Sequence, residues 1–312
     1  MATLQIFLLG FCGYIFARRK IVSGENLKFL SHLVVSLLFP CFIFTKLINN
    51  FSFSYYQDWW LYPLLSIFIT LIGFFVGVLF LRIDKGLEKF KKEFLSLVAF
   101  QNSGYLPLML VALILPEGRR EVVFVNIFLF LIGFDLVIWS VGAFYLAKEK
   151  KEKLEITSLF TPPIIADILA LTLIAIGLNR FIPDFIMKPA SMLGDCGLPL
   201  AIFVVGANLA FVDIRSKANY KHIINLSIAK LLFMPLAFLG LILLVKPPYE
   251  IAFLLLLQGT MPSATSLSVI MRRYDTQDNI ISLGIFWTHI LFLFTLPLLL
   301  TVFSYFKLFI FG

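Results

Sequence analysis

A chain of 312 residues that is 60% hydrophobic and only 14% charged cannot present a water-facing surface around a core, so its composition excludes an ordinary soluble domain and points to a polytopic membrane protein. The formal charge of +8 would suit nucleic acid, but the basic residues fall in short clusters between apolar runs, as they do in cytoplasmic loops. No nucleic-acid partner is expected.

Ten apolar runs of spanning length are expected, at about 3–17, 29–48, 59–81, 94–115, 121–147, 160–178, 189–210, 222–245, 250–271 and 279–306. The first has no positive charge before it and Arg18-Arg19-Lys20 after it, the reverse of a signal peptide, and reads as a short first transmembrane helix. Tyr55-Tyr56 and Asp58-Trp59-Trp60 read as an interfacial aromatic belt. The seventh run is the most interrupted, by Asp195, Gly197 and Pro199.

Two runs carry helix breakers. In Phe100-Gln101-Asn102-Ser103-Gly104-Tyr105-Leu106-Pro107-Leu108-Met109, Gly104 weakens the helix and Pro107 removes a donor, so a break is expected there. In Leu257-Gln258-Gly259-Thr260-Met261-Pro262-Ser263-Ala264-Thr265-Ser266, Gly259 and Pro262 do the same. Unpaired backbone groups cost several kcal/mol each in hydrocarbon, so such breaks persist only where protein or water surrounds them, and paired breaks point to a transporter's substrate site.

The loop Lys148–Glu155 divides the runs five and five, giving segments 1–147, 148–156 (a cytoplasmic linker) and 157–312. Five is odd, so a second copy enters the membrane from the opposite side, and any duplication is inverted. The glutamines of the two broken runs are 157 residues apart, and Pro40 and Pro199 in runs two and seven are 159 apart, which agrees with a repeat. Lys and Arg number eighteen in one set of alternate loops and six in the other, so both termini are expected outside.

Each opened half-helix exposes N–H groups worth roughly half a positive charge. Neither 94–115 nor 251–271 contains Asp or Glu. The polar groups there, Gln101, Asn102, Ser103, Gln258, Thr260, Ser263, Thr265 and Ser266, are neutral donors that suit a carboxylate, or else they satisfy the freed backbone of the breaks. The candidate substrate site is Gln101, Asn102, Ser103, Gly104, Pro107, Gln258, Thr260, Pro262, Ser263 and Thr265. Asp135, in mid-run, is a candidate proton or sodium coupling site or a structural partner of Lys46 or Lys230. Lys230 is a coupling candidate, a snorkelling structural lysine or a substrate counter-charge. Asp167 and Asp195 lie nearer run ends and read as ordinary hydrogen-bonded or interfacial groups. His32 and His289 read as packed, neutral histidines.

Cys12, Cys41 and Cys196 lack metal or redox spacing and read as packing residues. No metal site or cofactor is expected. No Ser/His/Asp, Walker, HExxH or zinc spacing accompanies the breaks, which argues against an enzyme; an anion channel is the rival class, since it would use the same helix ends.

Asn102-Ser103-Gly104-Tyr105-Leu106-Pro107-Leu108, Pro40, Gly197-Leu198-Pro199 with Gly206, Met261-Pro262-Ser263-Ala264-Thr265, Arg273-Tyr274 and Pro297 together resemble the auxin efflux carrier family of PIN-like transporters, over essentially the whole chain. The resemblance implies an all-α fold of ten transmembrane helices in two inverted five-helix repeats, with helices four and nine broken and crossing near the midplane. It implies transport of organic anions, auxin in plants and small carboxylates such as malate or malonate in bacterial members. Spans one, two, six and seven would form the scaffold, through which a homodimer would assemble. The family often reads Asn-x-Gly-x-x-Gly-x-Pro in span four, whereas Pro107 stands here for the second Gly and Met109 for the Pro. The linker is short, as in a bacterial-type member, and the expected location is the cytoplasmic (inner) membrane.

Overall fold

The computed structural model describes residues 2–146, 159–212, 220–273 and 279–311. The linker 148–156 lies outside them, with Lys148, Lys150, Lys151, Lys153, Arg215, Lys217 and Tyr274. The described chain is helical, and its β-structure is a single antiparallel bridge.

Every apolar run forms helix. In order these are α1 (Ala2–Arg18), α2 (Gly24–Asn50), α3 (Leu61–Ile83), α4 (Lys91–Ala99), α5 (Tyr105–Ile114), α6 (Glu117–Leu146), α7 (Pro162–Ala175), α8 (Asp184–Leu209), α9 (Tyr220–Val245), α10 (Tyr249–Thr260), α11 (Ser266–Arg273) and α12 (Asn279–Phe311). Six of them, α2, α3, α6, α8, α9 and most of α12, are long and apolar enough to cross a membrane. The shorter apolar helices are α1, α5, α7 and α10.

Two of the long helices widen into π-turns just before a proline: Val34–Leu38 precedes Pro40, and Ala229–Phe233 precedes Pro235. Proline has no N–H to give the preceding turn, and a wider turn absorbs the register change without ending the helix.

The chain forms two compact units. Unit one comprises Met1–Ser66, Gly104–Leu136 and Leu154–Phe211, and unit two comprises Ile67–Ser103, Val137–Lys153 and Val212–Gly312. Unit one packs α1 on α8 so closely that a Cβ at Gly206 would overlap the Gly10 carbonyl, and Ala17, Val22, Leu27, Val34, Ala201 and Val204 build a core beside this contact. Phe42 meets Phe124 and Phe128 edge to face, which ties α2 to α6.

In unit two, a Cβ at Gly73 would stand 2.5 Å from Ala99 Cα, so α3 approaches the end of α4 backbone to backbone. At the foot of α3, Asp84 accepts from Gly86 N–H at 3.1 Å and from Asn225 Nδ2 at 2.8 Å, with Lys221 Nζ at 3.3 Å and His222 Nδ1 at 3.6 Å. Burial pushes the Asp84 carboxyl up, but Gly86, Lys221 and His222 outweigh it and hold it below its ordinary value. This anchor joins α3 to α9, and the two frame α4.

Candidate functional site

Both expected interruptions occur, and in unit two they are bonded to each other. The first link, Phe100–Ser103, runs antiparallel to the second, Met261–Thr265, with Gln101 opposite Ser263. Asn102 N–H donates to Pro262 O at 2.8 Å, and Ala264 N–H donates to Phe100 O at 3.0 Å. Each break thus satisfies backbone groups of the other, so two broken helices coexist where one alone would leave buried donors and acceptors open.

The first break lies upstream of where Gly104 and Pro107 place it. The helix ends at Ala99, Gly104 is the N-cap of α5, and Pro107 sits in that helix's first turn. Proline is at ease there, because first-turn N–H groups have no partner within the helix. Gly104 has φ −97°, which any residue adopts, so it is not needed for its backbone freedom. Gly259 is likewise not in the second break but in the last turn of α10, where a Cβ would collide with the ring of fully buried Phe238. Pro262 is in the second link itself.

Side chains finish the structure. Ser263 Oγ donates to Leu97 O at 2.7 Å, and Ser263 N–H donates to Thr288 Oγ1 at 3.3 Å. Thr260 Oγ1 donates to Leu257 O at 2.8 Å, and Gln258 Nε2 donates to Ser103 O at 3.1 Å. Ser103 Oγ approaches Gln101 O at 3.4 Å, and half-buried Thr265 offers its carbonyl to Ser268 Oγ at 2.8 Å. His289 Nδ1 lies 2.8 Å from Ile285 O; a carbonyl only accepts, so Nδ1 carries the proton and Nε2 accepts from Asn102 Nδ2 at 3.4 Å.

Within the two links and the last turn of α10 what remains open is amide, while on α4 the buried Ser96 Oγ is also without a partner. Gln101 is fully buried with neither Oε1 nor Nε2 partnered, and Gln258 Oε1 is in the same condition. Each such group costs about 1–3 kcal/mol in a buried place, and such orphans mark positions a bound group would complete. Asn102, next to Gln101 in sequence, is 5% exposed. Of the ten expected site residues, eight lie in unit two along these two links and their flanking turns, whereas Gly104 and Pro107 belong to unit one. Thr288, His289 and Lys230 join the same hydrogen-bonded structure; Thr288 carries no local sequence signal, whereas Lys230 and His289 stand out as polar residues in apolar runs. His289 is more than a packed histidine, and His32 is not packed: it is exposed and bonded to Ser36 Oγ at 3.2 Å.

The charged residues divide by unit. In unit one, Lys46 pairs with Glu121 at 3.1 Å rather than with Asp135. Asp135 lies within electrostatic range of Tyr105 and of Asp167. Asp167 departs from the expected role at a run end: it is 1% exposed with neither carboxylate oxygen hydrogen-bonded. Asp195 is exposed and lines a cleft of about 270 Å³ with Lys46, Arg120, Met109 and Pro199. In unit two, Lys230 is fully buried in the π-turn of α9, and its Nζ donates to Val98 O at 2.7 Å. It does not snorkel, and it pairs with no acid among the described residues. The three cysteines are free thiols, and the described residues hold no group of three or more His, Cys, Asp or Glu arranged to take a metal ion.

Apolar helices, two mutually bonded breaks and buried amides left open are the architecture of a membrane transporter. The membrane transport protein family model matches residues 1–300, and the chain belongs to that family, the auxin efflux carriers. It is 22% identical to the Arabidopsis thaliana protein PIN-LIKES 1, over 87% of this chain and 71% of that one. It is 27% identical to an uncharacterized transporter of Methanocaldococcus jannaschii, over 92% of each chain. A further uncharacterized transporter, from Methanothermobacter thermautotrophicus, is 26% identical over 95% of each. The family is named for membrane transport, and the latter two relatives are named as transporters, not enzymes.

Proposed function

We propose that this transporter is a secondary carrier of small organic anions, carboxylates above all, working by alternating access around the two linked breaks. The observation that carries this reading is the pairing of the breaks without any acid in 94–115 or 251–271, together with the buried Gln101 amide, whose unpartnered Nε2 is a donor. A bound carboxylate accepts from amide N–H groups and from opened helix ends, and it needs no compensating acid nearby. The frame is ten spans in two inverted five-helix repeats, 1–147 and 157–312, in the cytoplasmic membrane with both termini outside. The four shorter apolar helices join the six long ones in that count, α5 with α4 and α10 with α11. Unit one contains the helices of spans one, two, six and seven, which suits the scaffold role and a homodimer built on it.

A coupled variant has its own support. Asp167, wholly buried without a hydrogen-bond partner, lies within electrostatic range of half-buried Asp135, and like charges at that range in an apolar place favour a proton or a cation between them. In that variant a proton or sodium ion at this pair drives the anion. Purified protein in proteoliposomes separates the readings: a carrier gives saturable counterflow of a preloaded carboxylate, and a channel gives none. If no carboxylate shifts the melting temperature or supports counterflow, the anion reading fails. Asp135→Asn should abolish ion-driven accumulation while leaving exchange partly intact. Unchanged pH and sodium dependence would assign Asp135 to structure.

A further inference from the structure

Lys230 is a buried base of unit two that the fold does not explain. Its side chain is fully buried, and its single hydrogen bond among the described residues goes to Val98 O. An ammonium has three protons to give, so two are unassigned, and no described carboxylate forms an ion pair with it. A bland role is available: a cation near the C-terminus of α4 complements the partial negative charge of that helix end. Partial charge does not balance a full one, and a lysine needed only as a cap would gain by reaching water.

Its position says what else it faces. Val98 O and Leu97 O are adjacent carbonyls at the end of α4; the first takes Lys230 and the second takes Ser263 Oγ. The ammonium therefore sits at the turn from which the first link departs toward Gln101 and Asn102. It is held there by a π-turn, a distortion that proteins tend to keep at functional positions. The other buried bases of unit two are accounted for: His222 faces Asp84, and His289 is neutral by its hydrogen bonds.

We propose that Lys230 is the counter-charge of the transported anion: one carboxylate group is drawn to the linked breaks because its charge balances the buried ammonium, with the unpartnered Gln101 Nε2 donating to it. This deepens the organic-anion reading and rests on it. It adds that one positive charge is on offer, so a monocarboxylate is balanced in full and a dicarboxylate leaves one charge uncompensated.

The test is binding to the purified full chain by calorimetry and thermal shift, with monocarboxylates from acetate to phenylacetate, their neutral carboxamides, and dicarboxylates from malonate to glutarate. Wild type should bind at least one monocarboxylate more tightly than its carboxamide and more tightly than the dicarboxylates. Lys230→Met should weaken that monocarboxylate roughly 10- to 100-fold while leaving the carboxamide unchanged. Lys230→Arg should restore acid binding to within a few-fold, and Lys230→Gln, which keeps a donor for Val98 O without the charge, should not. If Lys230→Met does not fold, the Arg and Gln variants alone decide. Equal loss of acid and amide binding, or acid binding by Lys230→Gln as tight as wild type, overturns the counter-charge while the anion reading stands. Dicarboxylates bound more tightly than monocarboxylates overturn the single-charge argument. If wild type binds no carboxylate in the panel, the anion reading falls and takes this inference with it.

Discussion

The two links are paired through their backbones, yet their side chains end in different states. The second, Met261–Thr265, is closed: its serine is bonded through both Oγ and N–H, and the neighbouring Thr260 hydroxyl is taken by Leu257 O. The first, Phe100–Ser103, is open: the Gln101 side-chain amide is wholly unpartnered, and the Asn102 side chain has one long contact, of 3.4 Å to His289. Hydroxyls with short side chains bond the nearest carbonyl and become part of the backbone's own repair. Amides reach further and carry donors and acceptors that no single carbonyl satisfies. One link therefore holds the site together, and the other is available to a substrate.

The largest effect that would break this contrast is charge at the open link. Asn102→Asp places a fixed negative charge where the anion is proposed to bind. At about 5 Å and an effective dielectric of about 20, two unit charges repel by about 3 kcal/mol. Carboxylate affinity should fall by about two orders of magnitude. Asn102→Ala removes one hydrogen bond to a charged group, roughly 1.5–3 kcal/mol, and should cost less than the acid. Circular dichroism and melting temperature must show an intact fold in both. An Asn102→Asp variant that binds organic anions as well as wild type would sink the anion mechanism.

At the closed link the readout changes from affinity to stability. Ser263→Ala frees the Leu97 carbonyl and should lower stability by about 1–2 kcal/mol in detergent, measured by melting, without discriminating between acid and amide ligands. Gly259→Ala presses a Cβ into the Phe238 ring, and overpacking of that kind costs about 1–3 kcal/mol. If Ser263→Ala kept its full stability and lost carboxylate binding alone, the two links would have to exchange roles.

Much of this was legible in the chain. The apolar runs announce themselves as helices, six of them long enough to cross a membrane, and the two broken ones are marked by Gly and Pro inside them, because few residues interrupt hydrocarbon-length helices without cause. The exact position of the first break was not legible. Pro107 both ends one helix and suits the first turn of the next, and sequence does not say which. The partition of polar residues into glue and site was also hidden. Ser263 and Gln101 look alike as polar groups in an apolar run, and only the fold shows that one meets Leu97 O and the other meets nothing. His289 is paired to Asn102 across 187 positions, and Lys230 to Val98 across 132, separations at which periodicity carries no information.

The smallest expected effect is the most discriminating. Gln101→Leu replaces a buried, unpartnered amide by an apolar side chain of similar length. If the amide serves the fold, through groups that escape notice, its loss leaves partners open and the protein melts earlier by 1–3 kcal/mol or so. If the amide is held open for a substrate, removing it relieves an unpaid desolvation, and stability should stay within about 0.5 kcal/mol or rise. Carboxylate affinity should then drop by roughly tenfold, the worth of one hydrogen bond to a charged group at the low end. The combination is what counts: unchanged or raised melting temperature with weakened binding marks a functional orphan. A melting temperature lowered to the extent seen for Ser263→Ala, with binding intact, would move Gln101 to the closed side and leave Gln258 Oε1 as the remaining open group of the pair.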